Sequence, residues 1–146
     1  MLTVGTILRA AANQGFLHRA NRLCTRASVQ LAALPPFPYP GFDPLHPDPS
    51  LLPRIGAFFS GPGDPRPTFR ALIRALAALG SPPASPSEWK RVLDARRAGI
   101  SVMTEQDNAA LTANVRAFVN SVHDNDRAFR RIAITSSVFG ATGCVL

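Results

Sequence analysis

The residues of this chain that could do chemistry are few and scattered, and three groupings come nearest to a site. The run SSVFGATGCVL places Gly140 and Gly143 as at the start of a dinucleotide-binding turn, where glycines let backbone amides approach a pyrophosphate at a helix N-terminus. The run lacks the third glycine, the following helix and the ribose-binding acid, so a flexible or partner-bound tail is the expectation. His123, Asp124 and Asp126 offer an imidazole and two carboxylates to a cation. Their spacing fits no metal motif, and helix-end capping explains them better. The third grouping is the cysteines, Cys24 and Cys144, which form no CxxC pair. Neither a disulfide framework nor a zinc site is expected from them, and a reduced compartment is compatible.

Catalysis finds no better support. No Ser-His-Asp arrangement, carboxylate pair or GK[ST] phosphate loop can be assembled at workable spacing, and GPGDPRPT has glycines without the lysine. The reading is therefore of a chain that is not an enzyme, with no catalytic, cofactor-binding or metal-binding residue assigned.

What remains is cationic. Arg96 with Arg97 and Arg130 with Arg131, accompanied by Arg116 and Arg127, are the strongest basic patches. Arginine pairs at helix ends commonly complement the helix dipole. Their alternative use is bidentate contact with phosphate, in ribosomal RNA or an anionic lipid. The stretch WKRVLDARRAGISVMTEQDNAALTANVR has the outline of a helix-turn-helix. A DNA reader needs basic or amide groups on the first turns of its second helix, whereas Glu105 and Asp107 stand there and would repel phosphate, so a plain helical hairpin is expected.

The elements that must position these groups follow from charge and periodicity. The chain has 146 residues and a formal charge of +7. Four arginines (Arg9, Arg19, Arg22, Arg26) and no acid lie between Met1 and Leu34, so more than half of the excess charge sits in that segment. Leu2, Val4, Ile7, Leu8, Phe16, Leu17 and Leu23 recur there at near-helical spacing, which predicts an amphipathic helix with an apolar stripe beside a cationic face. This acid-free, Ala-rich segment resembles a mitochondrial matrix-targeting presequence over roughly its first 27 to 34 residues. The resemblance implies delivery to the matrix or the matrix face of the inner membrane, with Arg26-Ala27-Ser28 as a processing pattern that makes Ser28 the first mature residue. A retained helix lying on a partner or a membrane surface is the alternative.

From Pro35 to Pro53 eight prolines in nineteen residues predict an extended strap of polyproline II and turns. Phe37, Tyr39 and Phe42 are its candidate partner-binding anchors, suited to a groove.

Beyond the strap the pattern is helical. Leu51 to Phe59 predicts a short helix, and Asp64-Pro65 opens one that runs to about Leu79 before Gly80. Ser85-Pro86-Ser87-Glu88 reads as a capping box for a helix to about Ala98, ended by Gly99. Thr104 caps the longest helix, with Leu111, Val115, Phe118, Val119 and Val122 on one stripe and a bend at Asp124-Asn125-Asp126. Ile132 to Thr135 and Val138-Phe139 could supply one short strand. No run reaches the roughly eighteen apolar residues of a transmembrane helix.

The expected fold is mainly α: a small three- to four-helix bundle with an extended Pro-rich arm and an amphipathic N-terminal leader. Its expected divisions are leader 1–34, strap 35–67, helical bundle 68–133 and C-terminal tail 134–146. Such a body with arms suits a non-catalytic accessory subunit of a large mitochondrial assembly, a peripheral subunit of an inner-membrane respiratory or ATP synthase complex. Its expected partners are other protein subunits, with anionic lipid or rRNA at the arginines. A mitochondrial ribosomal protein is the second reading, disfavoured because the chain from Pro35 onward carries only +3.

Overall fold

A computed structural model of the chain describes residues 3–145. It is all-helical among the described residues: α1 (Val4–Ala12), α2 (Gln14–Ala32), α3 (Leu52–Phe59), α4 (Arg66–Ala78), α5 (Pro86–Leu111) and α6 (Val115–Phe139), followed by a 3-10 turn over Thr142–Cys144. No described helix is long and apolar enough to cross a membrane.

The spine is an antiparallel hairpin of α5 and α6, of 26 and 25 residues, each about 38 Å long at the usual rise per residue. The chain reverses at Thr112–Asn114. There Ala113 takes a positive φ of 54°, and the Asn114 side chain accepts a hydrogen bond from the Ala117 amide, capping α6.

Two of the expected helix ends are therefore displaced. Gly99 does not stop a helix; it lies inside α5, where a β-carbon would come 3.2 Å from Ile132 Cδ1 of α6. It is a crossing point of two helices. Thr104 caps nothing, because its hydroxyl donates to the Ile100 carbonyl within α5. The Asp124-Asn125-Asp126 triplet does not bend α6, and Ile132 to Phe139 is its last two turns instead of a strand. Ser85 is left-handed at φ 58° and makes no side-chain cap, so the capping box does not form.

Two apolar cores sit on this spine. The larger joins Phe16, Leu17, Ala20, Cys24 and Ala27 of α2 to Leu72 and Leu76 of α4, Trp89, Val92 and Leu93 of α5, and Phe139 at the end of α6. Phe16 meets Trp89 edge-on at 4.9 Å between centroids, and Trp89 lies 5.0 Å from Phe139. At the other end of the spine Leu52 of α3 packs with Ala109, Ala110 and Phe118.

The segment expected to be a leader thus divides in two. α2 is a core helix, and its apolar stripe is inside the bundle. α1 is different: Val4, Ile7 and Leu8 are 74%, 54% and 65% exposed. The junction between them is fastened by Asn13, whose side-chain amide donates to the Ala84 carbonyl and accepts from the Ala84 amide, both at 2.8 Å.

The expected tail is also fixed. Cys144 is fully buried and joined to Cys24 by a disulfide across 120 residues, which corrects the expectation that these cysteines stay unpaired. Sequence spacing could not bring them together; the packing of the 3-10 turn on α2 does. The strap is extended and turn-rich between α2 and α3. Phe37 stacks on Phe59 at 5.5 Å and Phe42 meets Phe118 at 6.0 Å, so the groove that receives these anchors belongs to the chain itself. Tyr39 completes the cluster against Phe37 at 5.7 Å.

Candidate functional site

The hairpin spine carries a cleft of about 630 Å³ on one side, lined by Arg91, Asp94, Ala95 and Ala98 of α5 and by Arg127, Arg130, Arg131, Ile134 and Thr135 of α6. Each helix supplies its lining residues at i, i+3, i+4 and i+7 (91, 94, 95, 98 and 127, 130, 131, 134). That spacing selects one face of a helix. The floor is apolar, from Ala95, Ala98 and Ile134. Four guanidinium groups stand around it, and Asp94 is the one acid in the lining.

Ion pairing sorts these cations. Asp94 accepts from Lys90 at 2.6 Å and from Arg97 at 3.3 Å, and the Lys90 contact in particular holds its carboxyl below the usual range. Arg130 pairs with Asp126 at 2.9 Å, and Arg127 with Asp124. Arg91 and Arg131 make no ion pair among the described residues and are exposed. They are the cations with free donors for an incoming anion.

The arginines singled out in sequence do not all meet. Arg130 and Arg131 line the cleft, and Arg97 reaches Asp94 at its edge. Arg96 corrects the surface-patch expectation: it is 4% exposed and donates from Nη2 to the Cys144 carbonyl at 2.6 Å. Burial pulls its pKa down to about 10, and its Nε has no partner. Arg96 is a structural clasp on the C-terminal turn. Arg91 was missed in sequence because it is not part of an arginine pair: it follows Lys90, five residues before Arg96. The antiparallel packing of α5 on α6 brings it to one cleft with Arg131.

The other groupings stay apart from this cleft. His123 is exposed, while Asp124 and Asp126 are occupied by Arg127 and Arg130. Gly140, at φ 97°, ends α6, and Gly143 donates its amide to Asn21 Oδ1 of α2 at 3.0 Å, so that turn is spent on packing. A second cavity of about 220 Å³ lies between α3, α4, α5 and α6, walled by Phe59, Phe69, Met103 and Phe129. At its border Arg66 binds Asp64 at 2.8 Å and Asp107 at 2.9 Å. Burial outweighs the Arg66 charge at Asp107 and raises its pKa to about 6.

Fold and site together define an all-helical bundle whose hairpin spine presents a cationic cleft with an apolar floor. No family model, no curated protein and no solved structure matches the chain.

Proposed function

We propose that the protein is a non-catalytic accessory subunit that docks through the α5/α6 cleft on an anionic surface of a larger mitochondrial assembly, as a peripheral subunit of an inner-membrane respiratory or ATP synthase complex. The observation that carries the docking role is the pair Arg91 and Arg131, two exposed guanidinium groups facing one cleft that make no ion pair among the described residues. Arginine binds carboxylate and phosphate through paired donors, and an apolar floor adds affinity for the attached hydrocarbon.

The mitochondrial placement rests on the acid-free composition of residues 1–34 and is proposed here with that segment retained. Processing at Ser28 would remove Phe16, Leu17, Ala20, Cys24 and Ala27 from the larger core. The Cys24–Cys144 disulfide also favours an oxidising compartment over the reducing matrix, since glutathione and thioredoxin systems keep thiols reduced. The intermembrane face of the inner membrane suits the disulfide, in place of the matrix delivery that the resemblance of residues 1–34 implies.

Binding to ribosomal RNA is the second reading, supported by the same arginines. Asp94, Asp124 and Asp126 beside the cleft weaken it, because they dilute the positive field that an RNA-embedded surface needs.

The test is native-gel proteomics of solubilised mitochondrial membranes from cells expressing the tagged full chain. Co-migration with a respiratory or ATP synthase complex, lost in Arg91→Glu/Arg131→Glu, is the expected result. Sedimentation with ribosomes that RNase abolishes would replace this reading with the ribosomal one.

A further inference from the structure

α1 has the wrong side out for a helix of a closed bundle. A helix that packs on a core buries its apolar stripe, yet α1 holds Val4, Ile7 and Leu8, spaced i, i+3 and i+4, toward solvent, and none of its described residues is buried. α1 packs on α2 and α6. α6 repeats the anomaly in its last turns, where Ile134 is 62% and Val138 52% exposed. Phe16 at the start of α2 meets Phe139 at the end of α6, 6.0 Å between centroids. The exposed residues of α1 and of late α6 therefore share one end of the bundle.

That end adjoins the cationic cleft. Along α6 the residues Arg127, Arg130 or Arg131, Ile134 and Val138 follow one helix face, so cations pass into apolar side chains within about three turns. Arg91 supplies a further cation from α5. A surface with exposed apolar side chains bordered by arginines, of which Arg91 and Arg131 make no ion pair among the described residues, matches the chemistry of the bilayer interface, where hydrocarbon lies a few ångströms below a layer of phosphates.

We propose that this end of the bundle is a membrane-docking face for anionic phospholipid, in which Val4, Ile7, Leu8, Ile134 and Val138 enter the headgroup boundary and Arg91 and Arg131 hold lipid phosphates in the α5/α6 cleft. The proposal rests on the reading of that cleft as the docking site and specifies what occupies it. It requires no transmembrane segment. Charge complementarity selects the occupant, since zwitterionic lipid would leave the arginine pair without a net anionic partner.

Vesicle flotation of the full-length, disulfide-bonded chain tests it, using phosphatidylcholine vesicles with and without phosphatidylglycerol. Flotation is expected only with the anionic lipid, weakening as salt rises. Arg91→Ala/Arg131→Ala should weaken it about thirtyfold, and Ile7→Ser/Leu8→Ser should weaken it at unchanged net charge. Arg54→Ala/Arg74→Ala, which removes two exposed cations elsewhere, should leave it within about twofold. All six positions are exposed, and unchanged circular dichroism confirms the fold of each variant. Absence of flotation overturns the proposal, as does equal loss in the Arg54/Arg74 control or indifference to the Ile7/Leu8 change. An RNA oligonucleotide retained through Arg91 and Arg131 without flotation would assign the cleft to nucleic acid. Loss of complex co-migration in the Arg91/Arg131 variant with no vesicle binding by the wild type would leave the accessory role standing and remove only the lipid.

Discussion

Cys24 in the middle of α2 and Cys144 in the last turn of the described chain are joined by a disulfide, their α-carbons 5.2 Å apart across 120 residues of sequence. The bond closes nearly the whole chain into a ring. Both sulfurs lie inside the larger core, next to Ala20 and Ala141.

Opening that ring should lower stability considerably. A loop of this length restricts the unfolded chain by about 4–5 kcal/mol in the chain-entropy account, and about 2–5 kcal/mol is usual on removal of a native disulfide. Cys24→Ala/Cys144→Ala should lose an amount in that range, read as a lower denaturation midpoint with a steeper slope, because the unfolded chain expands once the ring is open. Mass spectrometry of the alkylated, unreduced protein should find no free thiol.

A chain beginning at Ser28 should not fold cooperatively. It lacks Phe16, Leu17, Ala20, Cys24 and Ala27, and fully burying one Phe or Leu is worth about 1.5–3 kcal/mol. Their sum approaches the whole stability of an ordinary domain. A sharp thermal transition in residues 28–146 would show that α2 is dispensable.

Asp107 makes stability depend on pH in an uncommon direction for a carboxyl group. Its pKa of about 6 in the fold exceeds the ordinary 3.8, because burial opposes the charged form. Between these values the unfolded chain releases the proton first, so this group's contribution falls as pH rises from about 4 to about 6, by about 3 kcal/mol in all. Asp107→Asn should remove that fall. Urea denaturation of both proteins at pH 4 and pH 7 measures the difference.

Gly56 marks where α3 touches the end of α5. A β-carbon there would stand 2.8 Å from the Leu111 backbone nitrogen and 2.9 Å from its Cγ. Backbone cannot yield as a side-chain tip can, so Gly56→Ala should destabilise by about 1–3 kcal/mol despite the better helix propensity of alanine. Gly15→Ala, which meets nothing within 4 Å, should be neutral or slightly stabilising. Thermal melts of the two variants give the comparison.

The all-helical fold was legible from the apolar stripes. α4 was read to within two residues at each end, because Pro65 and a glycine at φ 80° bracket it. The spine was misdivided at Gly99, since a glycine that admits a neighbouring helix and one that ends its own helix look alike in sequence. That misdivision hid the length of α5. Arg96 and Arg97 are neighbours of one type, but Arg96 continues the stripe of Trp89, Val92 and Leu93 and is buried against Cys144, while Arg97 is exposed. The disulfide left no local signal at all, and the Cys24 segment drew attention to its charge instead of its apolar side. The strap aromatics were recognised as anchors, but sequence carries no mark of whose groove receives them.

The two-way amide contact of Asn13 with Ala84 has a mechanical meaning. A side chain that donates to and accepts from the same residue works as a bracket, not a hinge, and it ties the junction of α1 and α2 to the segment that leads into α5. Whatever α1 comes to rest upon, the remainder of the molecule must then stand over it in one attitude. Aspartate at position 13 would keep the acceptor and lose the donor, leaving the same adhesive foot on a loosened ankle.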